Sequence, residues 1–386
     1  MISTIPYSAP RVISSRQPQR GLTLIELMVS MVIGLIVLLA VLTLFVNVNR
    51  NNSEFSKTSI LIENGRFAVQ LLESDLIHAG YWGGYIPDFD NLTATGAPAD
   101  EPDAVPDPCL AYNVTNWNAA YKTNLLGIAI QPYDAATVCS SLLPDILANT
   151  DVLVVRHANT CLPGEANCEA DVAGNLYFQK SNCNDDIPTD TSPYIFNTAG
   201  HGLHDRDCTT VAGKRKFISN IYYIRDYAVT AGDGIPTLMR SEFDLTGGVL
   251  AHQTAVPLIE GIEGFRVELG IDSVGKTGVA VDYDAEIDWT DDSNKTTPTN
   301  RGDGATEGAF VHCTTATPCT AAQLTDVVSV KLHVLARALV PTQGYTDTKT
   351  YSLGGTTLGP FNDQFKRHTF STTVRLHNIS GRRETP

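Results

Sequence analysis

From Leu27 to Asn49 the chain carries no charged residue, and the only charges ahead of that run, apart from Glu26 beside it, are Arg11, Arg16 and Arg20. The heart of the run, Leu27 to Val46, is twenty residues long. That is enough to cross a hydrocarbon layer as one helix. A segment of this kind must lie in lipid, pack on other apolar helices, or be discarded as a signal peptide. Discarded peptides have a shorter apolar core and a small-residue cleavage site. Here Val46 is followed by Asn-Val-Asn-Arg-Asn-Asn-Ser, so the segment is expected to be retained. Basic residues before an apolar span stay on the cytoplasmic side.

Glu26 is the exception to a plain anchor. It is surrounded by Leu22, Leu24, Ile25 and Leu27. A carboxylate at membrane depth is costly unless paired and marks function by default. At headgroup level the same charge would be cheap. The residues alone leave both readings open.

Arg20-Gly21-Leu22-Thr23-Leu24-Ile25-Glu26-Leu27 resembles the cleavage and methylation motif of type IV prepilins. The resemblance implies that a prepilin peptidase cuts between Gly21 and Leu22 on the cytoplasmic face. Leu22 then becomes the N-methylated first residue, where the family usually has Phe. Removing 21 of 386 residues leaves 365, and losing three positive charges takes the net charge from −15 to −18. The resemblance also assigns Glu26 to subunit assembly, where it attracts the free amine of a neighbouring subunit. Opposite charges attract strongly in a low dielectric, and either alone is penalised there.

No proline occurs from Leu22 to Ile86. A helix is expected from Leu22 to Ala79, 58 residues, roughly 87 Å at the α-helical rise. Phe55, Ile62, Val69 and Leu76 recur every seven residues, with Leu72 and Ala79 beside them, as the apolar stripe of its second half. Glu63-Asn64-Gly65-Arg66-Phe67-Ala68 and Asp75-Leu76-Ile77-His78-Ala79-Gly80-Tyr81-Trp82-Gly83 resemble blocks that follow the anchor in minor pilins of the PilW family. Ser371 to Asn378 resembles that family's ending. Gly65 reads either as a weak point, costing about 1 kcal/mol in a helix, or as a site of close packing.

Beyond Pro87 the pattern turns to β. Strands are expected at 125–130, 151–157, 216–225, 237–243, 259–269, 327–335 and 369–376, with 216–225 and 237–243 as a pair. Long loops are expected over 159–212 and 282–323. Taken with the resemblance, the expected fold is α+β and pilin-like: a long amino-terminal helix, transmembrane in its first half, packed on a mostly antiparallel sheet with disulfide-bearing loops. The division is a leader at 1–21, a membrane and filament-core helix at 22–49, an amphipathic half at 50–80 and a globular periplasmic or extracellular domain at 81–386.

All eight cysteines follow the apolar segment. An even number on an exported domain predicts disulfides, with 105 possible connectivities. Pairing nearest neighbours gives Cys109–Cys139, Cys161–Cys168, Cys183–Cys208 and Cys313–Cys319. No C-x₂-C pair points to zinc.

His201, His204 and Asp207 have ligand-like spacing but read as a polar loop beside a disulfide. Asp282, Asp284, Glu286 and Asp288, with Asp291 and Asp292, are weak calcium candidates that match no EF-hand spacing. Arg301-Gly302-Asp303 is an integrin-like triplet in a Gly-rich turn. No G-x-S-x-G elbow, P-loop or H-E-x-x-H occurs, so neither enzyme activity nor a cofactor is expected. The net charge of −15 argues against nucleic acid as a partner.

The function implied is a minor pilin that helps initiate type IV pilus assembly and joins a tip complex. The alternative is a minor pseudopilin of a type II secretion system. Implied partners are the prepilin peptidase, other minor pilins, the major pilin, the inner-membrane assembly platform and the lipid bilayer. The implied location is the bacterial inner membrane, single-pass with the carboxy-terminal domain in the periplasm, and then the pilus.

Overall fold

The computed structural model describes residues 21–91, 97–134, 139, 141–186, 193–287 and 290–384. The chain divides into two compact units between Ser56 and Lys57. Helix α1 (Leu24–Leu76) belongs to both. It is shorter than expected from sequence at each end. Thr23 caps its start, and turns from Ile77 lead to Gly80, whose φ of +71° suits a residue without Cβ.

In the second unit α1 buries Leu61, Gly65, Ala68, Leu72 and Leu76. The heptad stripe is therefore corrected: Phe55 is 81% exposed and Ile62 38%. The true stripe advances by four, three, four and four residues, the spacing of one α-helical face. Gly65 and Ala68 lie at its centre, too small to stand out as apolar landmarks.

Helix α2 (Ala119–Gly127) precedes strand β1 (Ile130–Asp134). The strand expected at 125–130 is corrected by this. Asn118 caps α2 by accepting from the Tyr121 amide, and Leu125 and Leu126 are buried on its last turn. Short apolar runs do not distinguish strand from buried helix by periodicity. Strand β2 (Asp151–Ala158) is buried along its whole length. Val152 and Val154 face one apolar cluster, Leu153 and Val155 another, which is why the run reads as continuously apolar.

Strands β3 (Tyr177–Lys180) and β4 (Tyr194–Asn197) lie inside the stretch expected to be loop. Both are only four residues long, and aromatic side chains anchor them: Phe178 and Phe196 are buried in one cluster with Trp82, Trp117, Phe217 and Phe243. Strand β5 (Lys214–Arg225) pairs with β6 (Thr237–Thr246) as expected. A Gly247-Gly248 turn with both φ positive joins β6 to β7 (Val249–His252). That is the backbone a tight hairpin demands. Strands β8 (Val256–Glu260) and β9 (Ile262–Ile271) follow, with Gly261 between them. Helix α3 (Ala321–Thr325), β10 (Val327–Arg337), the hairpin β11 (Tyr351–Leu353) and β12 (Thr356–Leu358), β13 (Arg367–Arg375) and α4 (His377–Arg383) complete the chain.

All ladders are antiparallel. One eight-stranded sheet runs β1-β2-β5-β3-β4, with β6 on β5 and with β7 and β8 on β6. A second sheet is β13-β10-β9. The inner face of α1 shares one core with Leu153 and Val155, with Tyr222 and Ile224, with Phe265 and Val267, and with Val330, Leu332 and Val334. Each buried Leu of that face contributes about 2 kcal/mol. The α+β fold is thus a long amino-terminal helix whose second half packs on antiparallel sheets.

Candidate functional site

In the first unit Gly21 and Leu22 are exposed and precede the helix. The Glu26 carboxylate accepts from the Thr23 amide at 2.9 Å and from Thr23 Oγ1 at 2.9 Å. The Glu26 amide donates back to Thr23 Oγ1 at 3.3 Å. This is a reciprocal capping box, in which Thr and Glu three residues apart satisfy each other's open amides. Thr23-x-x-Glu26 is a readable signal for it, and sequence reasoning about membrane depth passed over it. Both bonds to the carboxylate fall on Oε2. Past Glu26 the large apolar side chains from Leu27 to Val48 are 45–67% exposed. By length and composition α1 is able to cross a membrane.

In the second unit the two blocks after the anchor tie α1 to the sheets. Asn64 Nδ2 donates to the Glu260 carbonyl at 3.1 Å. A Cβ on Gly65 would stand 2.1 Å from the Phe370 ring of β13. Gly65 is therefore a close-packing position.

Asp75 sits between α1 and the larger sheet. Its carboxylate meets His157 Nε2 at 3.0 Å and accepts from Asn220 Nδ2 at 3.0 Å and Tyr222 OH at 2.9 Å. Burial pushes this carboxyl up, but the His157 hydrogen bond and charge, with Asn220 and Tyr222, hold it below its ordinary value. Trp82 is buried against Phe178 and Phe217 and donates Nε1 to the Leu126 carbonyl at 3.0 Å.

The carboxy-terminus closes the same junction. Asn378 Nδ2 donates to the Ile77 and Ala79 carbonyls at 3.1 and 3.3 Å, capping the acceptors left open where α1 ends. Arg382 and Arg383 both bond Asp90. Burial alone would raise the Asp90 carboxyl, and the charges of Arg383 and Arg382 hold it low. Arg383 also bonds Asp326 at 2.9 Å.

Each disulfide joins sequence neighbours: Cys109–Cys139, Cys161–Cys168, Cys183–Cys208 and Cys313–Cys319. Among the described residues, three groups are close enough to share an ion: Asp107 with Cys109 and Cys139, Cys183 with Asp185 and Cys208, and Asp272 with Asp303 and Glu307. The first two are built on disulfide sulfurs. In the third, Asp272 accepts the Asp303 and Gly304 amides at 3.0 and 2.9 Å, and Glu307 accepts the Ser273 amide at 2.9 Å.

Asp282, Asp284 and Glu286 are exposed and belong to none of these groups. Asp288 lies outside the described residues. His204 bonds Asp186 at 2.8 Å, while His201 approaches the Tyr177 carbonyl at 3.4 Å. The two histidines have different partners. Arg301 is fully buried, so the triplet it begins is not displayed to a receptor.

Residues 16–42 match the family model of the prokaryotic N-terminal methylation motif. Residues 221–378 match the model of type IV pilus-assembly protein W. The second match begins within β5, takes in β6 to β13 and ends on Asn378. Neither match reaches the blocks between Glu63 and Gly83. Among solved structures the chain is similar to a type IV-like pilin of Thermus thermophilus, at 13% identity over 83% of this chain and 96% of that one, with a TM-score of 0.32. No curated protein matches.

A methylation motif at the head of an exposed apolar helix, followed by an α+β domain, defines a prepilin-type subunit anchored in a membrane by that helix. Over residues 221–378 the chain is similar to the type IV pilus-assembly protein W family.

Proposed function

We propose that this pilin is a minor subunit that helps initiate type IV pilus assembly and enters the filament in a tip complex with other minor pilins. Prepilin peptidase cuts between Gly21 and Leu22 at the cytoplasmic face, and Leu22 is N-methylated. The globular domain stands in the periplasm until the assembly platform moves the subunit into the pilus.

The observation that carries this reading is the position of Glu26. It lies on the first turn of an uncovered apolar helix, four residues after the proposed new amino-terminus. Its Oε2 holds the capping box, and Oε1 is the oxygen offered to the methylated amine of a neighbouring subunit. An acidic residue in the first turn also suits the positive end of the helix dipole. The pairing becomes strong only when lipid or neighbouring helices exclude water, as opposite charges attract far more in a low dielectric.

Deletion of the gene tests the role. Surface pili and twitching should be lost or reduced while secreted enzymes are unchanged. Lost secretion with intact pili would contradict the pilus reading and favour a type II pseudopilin.

A further inference from the structure

Arg301 and Asn300 are both fully buried. The Arg301 guanidinium makes one hydrogen bond, from Nε to Asn300 Oδ1 at 3.1 Å. Its Nη1 and Nη2 have no partner among the described residues, and neither has Asn300 Nδ2. The amide nitrogen of Asn300 shares a carbon with the oxygen that touches the guanidinium. The three unpartnered donor groups therefore belong to two adjacent side chains that touch each other in one buried loop.

The nearby carboxylates are already engaged. Asp90 is shared by Arg382 and Arg383, and Asp326 is bonded by Arg383. Asp272 is occupied by the Asp303 and Gly304 amides and lies 3.5 Å from Arg383. Asp90 and Tyr283 favour the charged form of Arg301, but burial and the like charge of Arg383 push its pKa down to about 10. At neutral pH the guanidinium is still a cation.

Buried donors without acceptors, and a buried cation without its own counter-charge, are each strongly unfavourable. Native structures answer such groups with a bound acceptor. A water would satisfy the donors but not the charge. No large anion suits a site whose donors are all closed to solvent.

We propose that Arg301 and Asn300 form an internal binding site for a small inorganic anion, chloride under ordinary conditions, enclosed when the domain folds. The anion supplies Arg301 with the counter-charge that Asp90 and Asp326, engaged by Arg382 and Arg383, do not. This stands apart from the pilus role and from the metal candidates, which call for the opposite charge.

The full chain in detergent is the material for the test. Thermal unfolding is followed at constant ionic strength while chloride or bromide replaces methanesulfonate or fluoride. Stabilisation that follows a binding curve is expected, about 2 °C in Tm for each tenfold rise in halide above its dissociation constant. Arg301→Gln should abolish that dependence. Because the variant risks misfolding, crystals of the wild-type chain grown with bromide supply an independent reading. An anomalous bromide peak within hydrogen-bond distance of Nη1 and Nη2 is expected. A water at that position, or a salt response in which methanesulfonate equals bromide, would overturn the proposal.

Discussion

Gly65 on α1 and Phe370 on β13 lie so close that a Cβ at residue 65 would stand 2.1 Å from Cε2 of the ring. Helix propensity alone would make Gly65→Ala stabilising by about 1 kcal/mol. Here the added methyl must displace a ring packed between helix and sheet. A net loss of about 2 kcal/mol is expected in urea unfolding. Phe370→Leu in the same chain should recover most of it, the coupling that contacting residues show. A Gly65→Ala protein more stable than wild type would refute the close-packing role.

Asp75 joins the last turns of α1 to the larger sheet through His157, Asn220 and Tyr222. Asp75→Ala leaves those three without their acceptor, and a loss of about 3 kcal/mol is expected.

The same carboxyl carries a pH dependence. It is held below its ordinary value of 3.8 in the folded state. Its contribution is complete above the unfolded-state value and is lost as the pH falls through the folded one. Urea midpoints measured from pH 6 down to pH 3 should therefore fall more steeply in wild type than in Asp75→Asn. Parallel curves would show that Asp75 is not held low.

The disulfides should rank by the loop that each closes. Cys109 and Cys139 are 30 residues apart, Cys313 and Cys319 only 6. Chain entropy assigns about 3.6 kcal/mol to the first and about 2.2 kcal/mol to the second. Paired Cys→Ser variants, compared by denaturant unfolding, should keep that order. A larger effect from Cys313→Ser with Cys319→Ser would contradict the ranking.

What was legible in the sequence was what local pattern determines. The charge-free run, its basic leader and the strands β2, β5, β6 and β10 all stand out as runs of one residue class. The face of α1 did not, because Gly65 and Ala68, its closest-packed positions, have almost no side chain to score. Leu125–Ile130 was misread because an apolar run of six satisfies a helix end and a strand equally. Tyr177, Phe178, Tyr194 and Phe196 were a usable aromatic signal for β3 and β4, hidden in a stretch of Asn, Asp and Gly.

Long-range pairs such as Asp90 with Arg383, nearly 300 positions apart, leave no local trace. At the candidate site, the roles proposed for Gly21, Leu22 and Glu26 all come from one motif. The capping role of Thr23 and Glu26 was readable too, but only by asking how the helix begins rather than where the membrane lies.

Glu26→Ala removes both the capping box and the proposed acceptor for a neighbour's amine. Loss of the box costs the helix about 1 kcal/mol, too little to prevent insertion. The variant should be cleaved and should reach the membrane in normal amounts, yet be depleted at least tenfold from sheared filaments. Normal incorporation would remove Glu26 from assembly.

The central claim is that this chain is processed as a prepilin and built into the filament. Mass spectrometry of sheared pili tests it most directly. The expected result is an amino-terminal peptide that begins at N-methylated Leu22, from a mature chain of 365 residues. A chain that keeps residues 1–21, or one found only in the membrane fraction while pili are plentiful, would contradict it.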